Sequence, residues 1–119
     1  STKHALKNNK NIFWILGGLP KIRDGFNLEG LSSNIVKSFI IGKKTDYFKN
    51  LVKEKIKYKI SYNLKNAIND VFKELLLSRN NKATVLFSPA SASYDQFINF
   101  VDRGNQFKKI TKKYAKKFL

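Results

Sequence analysis

Four short apolar runs, separated by stretches of helical periodicity, limit what this 119-residue chain can fold into. They are "IFWIL" (12–16), "SFII" (38–41), "YKIS" (58–61) and "ATVLF" (83–87). Each has the length of a strand, and the apolar runs read as strands buried in a sheet. Between them, Tyr47, Phe48, Leu51 and Val52 fall on one helical face. Leu64, Ala67, Ile68, Val71, Phe72 and Leu75 form the best amphipathic stretch. Residues 31–37 read as a short helix, and residues 2–9 as another leading into the first strand. In the tail, Phe107, Ile110, Tyr114 and Phe118 share one side and the lysines the other. Strands alternating with helices predict an α/β fold: a Rossmann-like, open, mainly parallel sheet flanked by helices. The length suits a single domain over 1–119. Right-handed crossovers put every strand-to-helix loop at the carboxyl edge, where such sheets bind ligands. Those loops are "GGLPKIRDG", "GKKTD", "SYN" and "SPASAS".

Composition removes several kinds of chemistry. With no cysteine there is no disulfide, thiolate metal site or cysteine nucleophile. One histidine, His4, allows neither a histidine-rich metal site nor a serine–histidine–aspartate triad. No apolar run approaches the roughly 20 residues that span a bilayer. The acidic residues are Asp24, Glu29, Asp46, Glu54, Asp70, Glu74, Asp95 and Asp102. Most fall in helical patterns and read as solvated charges, so no carboxylate pair for acid–base work is evident. There is no methionine. The expectation is therefore a processed start or a piece of a longer protein.

The formal charge is +16, from 24 basic and 8 acidic residues. Such a balance favours polyanions. The lysines are scattered, however, and arginine, the usual reader of base edges, occurs only at 23, 79 and 103.

Three loops offer features of ligand chemistry. In "ILGGLPK", Gly17 and Gly18 allow a sharp turn or a close approach to a ligand. The spacing is not that of a dinucleotide fingerprint, and Pro20 removes an amide donor. "IIGKKTD" is not a phosphate loop, because Lys37 stands where that motif needs glycine. Thr45 or Asp46 reads instead as a helix cap. In "SPASASYDQFINFVDRGNQF" (88–107), Ser93 and Gln96 fit a capping box. The helix so predicted buries Phe97, Phe100 and Val101 and ends near Gly104. Its amino end, at the ligand edge, would favour a carboxylate or phosphate.

These residues carry a resemblance. The 88–107 stretch resembles the C-terminal signature of the Mur ligases, in the branch that adds D-glutamate. "WILGGLPK" is similar to the glycine-glycine-lysine segment of the same domain, and "STKHAL" to the sequence just past its interdomain hinge. Residues 42–80 match mainly in pattern.

The resemblance implies that 1–119 is the C-terminal, D-glutamate-binding domain of a three-domain cytoplasmic enzyme of peptidoglycan precursor synthesis. Such an enzyme uses ATP and Mg2+ to activate the carboxylate of UDP-N-acetylmuramoyl-L-alanine as an acyl phosphate, which the amine of D-glutamate attacks. Lys21 and Ser93 correspond to binders of the D-glutamate carboxylate, Tyr94 to a backbone contact and Phe100 to the aromatic lining. Ala92, Asn99 and Arg103 are candidates for the pocket wall. Tyr94 departs from the commoner apolar residue. No catalytic residue and no metal ligand falls in this stretch. By the same resemblance the ATP, nucleotide-sugar and Mg2+ sites belong to the other domains, and this domain alone is expected to be inactive.

The alternative from another class is a basic α/β module that binds nucleic acid without specificity. Scattered lysines act through counterion release. Any affinity for nucleic acid should therefore fall steeply with salt and ignore sequence. A titration at physiological salt showing strong preference for one sequence would favour the nucleic-acid module.

Overall fold

The strand β1, Ile12–Gly17, is buried at all six positions, so the chain must cover it on both faces and both edges. The computed structural model describes residues 2–17, 28–77, 83–88 and 96–100. Four further strands follow: β2 (Ile35–Ile41), β3 (Tyr58–Tyr62), β4 (Ala83–Ser88) and β5 (Gln96–Phe100). The sheet order is β3-β2-β1-β4-β5. β1 pairs in parallel with β2 and β4, and β2 in parallel with β3. β5 runs antiparallel along β4. The fold is the expected Rossmann-like α/β arrangement, with four parallel strands and one antiparallel edge.

The pleat divides the core in two. Phe13 and Ile15 of β1 face the same side as Phe39, Ile41, Val85 and Phe87. They pack against Leu64, Ala67, Ile68, Val71 and Leu75 of α3 (Leu64–Leu77). Ile12, Trp14 and Leu16 face the other way, with Ile40 and Leu86. Their cover comes from Ala5 and Leu6 of α1 (Thr2–Asn8), Phe48 and Val52 of α2 (Thr45–Val52), and Leu28, Leu31 and Ile56. Trp14, Phe39 and Phe87 are the largest fully buried side chains. Burying a phenylalanine of this kind contributes about 1.5–3 kcal/mol.

Asparagine finishes α1. The Asn8 amide donates to the His4 carbonyl and the Asn9 amide to that of Ala5, each at 2.8 Å. Asn34 donates to the Leu6 carbonyl at 2.9 Å. Three carbonyls of the short helix, those of His4, Ala5 and Leu6, thus receive side-chain donors.

Three local readings need correction. Residues 31–37 are not a helix beyond a single 3-10 turn, Ser32–Asn34, because Ile35 already begins β2. Consecutive β-branched Ile35 and Val36 favour the extended chain. Neither Thr45 nor Asp46 caps α2. The N-cap is Lys44, which makes no side-chain capping hydrogen bond. Residues 96–100 are a strand, not part of a helix from Ser93 to Gly104. Phe97, Ile98 and Phe100 have strand propensity, and the free edge of β4 offers unpaired backbone groups that outweigh the capping signal. The predicted tail helix lies outside the described residues.

Two ion pairs tie α3 to the sheet: Lys37 to Glu74 at 2.6 Å and Lys59 to Asp70 at 2.9 Å. The buried Ser61 hydroxyl also donates to Asp70, at 2.8 Å. These two acids are therefore not the freely solvated charges that the sequence suggested. Burial pushes the Asp70 carboxyl up. The hydrogen bonds from Lys59 and Ser61, with the charges of Lys59 and Lys73, outweigh it and hold the group below its ordinary value.

Two outcomes are expected. An added Cβ at Gly17 would collide with the Ile41 carbonyl oxygen and lie 2.8 Å from the Ile41 Cγ1. Gly17→Ala should cost about 1–3 kcal/mol of stability by overpacking; an unchanged denaturation midpoint would refute that close approach. For Asp70, the folded state releases its proton more readily than the unfolded state. The stabilisation is complete above the unfolded value, about pH 4, and is lost as pH falls through the lower folded value. Asp70→Asn should remove that part of the acid sensitivity, as read from denaturation between pH 2 and pH 6.

Candidate functional site

The order of the strands creates a crevice. From β1 the chain steps to β2 and then to β3, moving one way across the sheet. It then crosses back under α3 to place β4 on the far side of β1. The direction of winding reverses between β1 and β4, and open α/β sheets bind ligands at the carboxyl side of such a reversal. Leu16 and Ser88 are register partners there. The segments leaving Gly17 and Ser88 therefore start from adjacent strands, about 4.8 Å apart, at one edge.

Those are the two segments that the sequence singles out. Lys21 follows Gly17 by four residues and Ser93 follows Ser88 by five. Lys21, Ala92, Ser93, Tyr94 and Arg103 themselves lie outside the described residues. Asn99 and Phe100 belong to β5, opposite Thr84 and Ala83. That is the far end of β4 from Ser88, so the strand pairing does not bring them to the crevice. The expected anion site at a helix amino end over 93–104 is also withdrawn, since Gln96–Phe100 is extended.

Gly17 has a structural duty. Its missing side chain makes room for the Ile41 carbonyl, not for a ligand. Beside it, the exits of β2 and β3 are joined: the Gly42 N–H donates to the Tyr62 carbonyl at 2.8 Å. Asn63 accepts from the Asn66 N–H through its side chain, at 2.8 Å, and so caps α3. Lys43 and Lys44 are exposed at this edge. Tyr62 is exposed too, in the left-handed backbone region at φ 72°. Sequence reasoning passed over Tyr62. The available signal was a large aromatic in a strand-to-helix connection, between two residues with hydrogen-bonding side chains.

Among the described residues, no group of three His, Cys, Asp or Glu side chains is placed to hold a metal ion. No described helix is long and apolar enough to cross a membrane. His4 is engaged with the Asn8 amide, 3.2 Å from its Nδ1.

No family model matches the chain, and no solved structure matches it. Curated proteins do. It is 36% identical over 118 residues to a UDP-N-acetylmuramoylalanine--D-glutamate ligase of Wolbachia sp. subsp. Brugia malayi, covering 99% of this chain and 24% of that protein. The Bradyrhizobium diazoefficiens protein of the same name is 36% identical over 92% of the chain and 24% of its own length. That of Rickettsia prowazekii is 32% identical over 96% of the chain and 26% of its length. The chain thus spans about a quarter of the length of these relatives. A match of about one third identity that runs through almost the whole of this chain has one reading: the chain belongs to the UDP-N-acetylmuramoylalanine--D-glutamate ligase family.

Proposed function

We propose that this chain is the D-glutamate-positioning, C-terminal domain of a longer ATP-dependent ligase that joins D-glutamate to UDP-N-acetylmuramoyl-L-alanine in the cytoplasm. The carrying observation is the adjacency of β1 and β4, with Leu16 opposite Ser88. It supports a site in which Lys21 and Ser93 approach one ligand from neighbouring strands.

D-Glutamate has two carboxylates and one amine. A lysine ammonium supplies a charge-assisted contact to one carboxylate, and a serine hydroxyl donates a further hydrogen bond. Backbone beside Tyr94 supplies another contact, and Ala92 and Arg103 belong to the surrounding wall. For Phe100 and Asn99 the assignment rests on the resemblance alone. Two fixed points prevent the ligand from rotating and aim the amine at the acyl phosphate; orientation of this kind is a large catalytic term. ATP, with Mg2+, supplies the activation of the acceptor carboxylate. We place ATP, Mg2+ and the nucleotide sugar on the remaining domains, against which this one closes.

Steady-state kinetics of the full-length enzyme, with each substrate varied in turn, test the reading. Lys21→Ala should raise the KM for D-glutamate about ten- to a hundredfold, with kcat falling if binding energy also aims the amine. The KM values for ATP and the nucleotide sugar should stay nearly constant. Ser93→Ala should act in the same direction. Unchanged D-glutamate kinetics in a folded Lys21→Ala protein would remove that residue from the site.

A further inference from the structure

Tyr62 has a backbone that the fold requires and, among the described residues, a largely exposed side chain. Its φ of 72° is a conformation that bulky side chains rarely adopt. The Asn63 N–H donates to the Ser61 carbonyl at 2.9 Å, closing a three-residue turn with Tyr62 at its centre. Both neighbours hold structural contacts: Ser61 to Asp70, and Asn63 to the first turn of α3. The Tyr62 carbonyl accepts the Gly42 N–H. Glycine would supply the same backbone with less strain. The ring itself is 68% exposed and stacks on no described aromatic residue.

Its surroundings have a common character. Ile41 and Tyr62 are register partners, so the ring stands beside the exit of β2. Lys43 and Lys44 follow, both exposed and outside the ion pairs of the described residues. Tyr47, on the first turn of α2, is 41% exposed, with the exposed Asp46 beside it. All of these lie at the carboxyl edge, flanking the crevice between β1 and β4.

We propose that Tyr62 is the apolar anchor of a docking surface for the rest of the ligase, with Lys43 and Lys44 meeting carboxylates on the facing domain. This rests on the reading of the chain as a substrate-positioning domain. About three quarters of the length of the relatives lies outside the matched region. A substrate held at this edge reacts only when an acyl phosphate carried elsewhere is brought to it, so the flank of the crevice must meet that other part. Exposed tyrosine ringed by polar groups is the usual anchor of such contacts.

The test uses the full-length enzyme with Tyr62→Gly, Tyr62→Ala and Tyr62→Phe. Losing an anchor should lower kcat about tenfold or more in the glycine and alanine variants. The three KM values should stay within about twofold, and phenylalanine should restore most of kcat, because an apolar ring suffices. The Tm of Tyr62→Gly should be unchanged or higher, since relief of strain offsets the entropy of glycine. A merely structural tyrosine would instead lower Tm together with kcat, and that result overturns the proposal. So does an unchanged kcat in both the glycine and alanine variants. A selective rise in the KM for ATP would assign the ring to a nucleotide base. Loss of a dimer seen by sedimentation would assign it to a second copy. Either outcome displaces the docking surface. Lys21→Ala, measured in parallel, separates the two readings. An effect there without one at Tyr62 leaves the D-glutamate site standing and removes this surface; an effect at Tyr62 without one at Lys21 leaves the surface and removes Lys21 from the site.

Discussion

Everything in this fold is arranged around the burial of β1. A strand with no exposed residue needs hydrogen-bonding neighbours on both edges and side-chain cover on both faces. β2 and β4 supply the edges, α3 covers one face, and α1 with α2 covers the other. Once parallel neighbours must lie on both sides, the winding has to reverse. The crevice is therefore a consequence of the core. The same apolar residues that make β1 central place its exit beside that of β4.

Much of this was legible in the residues. Runs such as "IFWIL" and "ATVLF" hold no charged position, and at five residues each they have the length of interior strands. The stripe from Leu64 to Leu75 has a period that fits α3 and nothing else. What failed were judgements that depend on neighbours. Ile35 and Val36 carry no helical or strand period of their own; their β-branched side chains favour the extended chain, and Ile35 pairs with Ile12 of β1. The capping box at Ser93 is a local signal, and it lost to the unpaired edge of β4, about which nothing local in the sequence speaks.

The site was legible unevenly. Lysine after one strand and serine after another could be named from the sequence, but the adjacency of the two strand ends that precede them follows from strand order, which periodicity does not encode. The role of Gly17 was read as freedom to turn or to admit a ligand. It is instead a contact with the Ile41 backbone that exists only when β1 and β2 are paired. Asp70 and Glu74 looked like solvated helix charges because their lysine partners lie 11 and 37 residues away in sequence.

The two edges of the sheet are finished differently. One is finished by β5, an antiparallel strand of five residues. The other is β3, also five residues long and without a further strand paired to it among the described residues; exposed Lys57 precedes it, and Lys59 on it is paired with Asp70. Positive charge along an open strand edge repels a second copy before backbone groups can zip together. The high lysine content thus has a colloidal consequence that needs no polyanionic ligand. Like charge opposes edge-to-edge pairing of two such sheets, and salt, by shortening the reach of those charges, weakens that opposition.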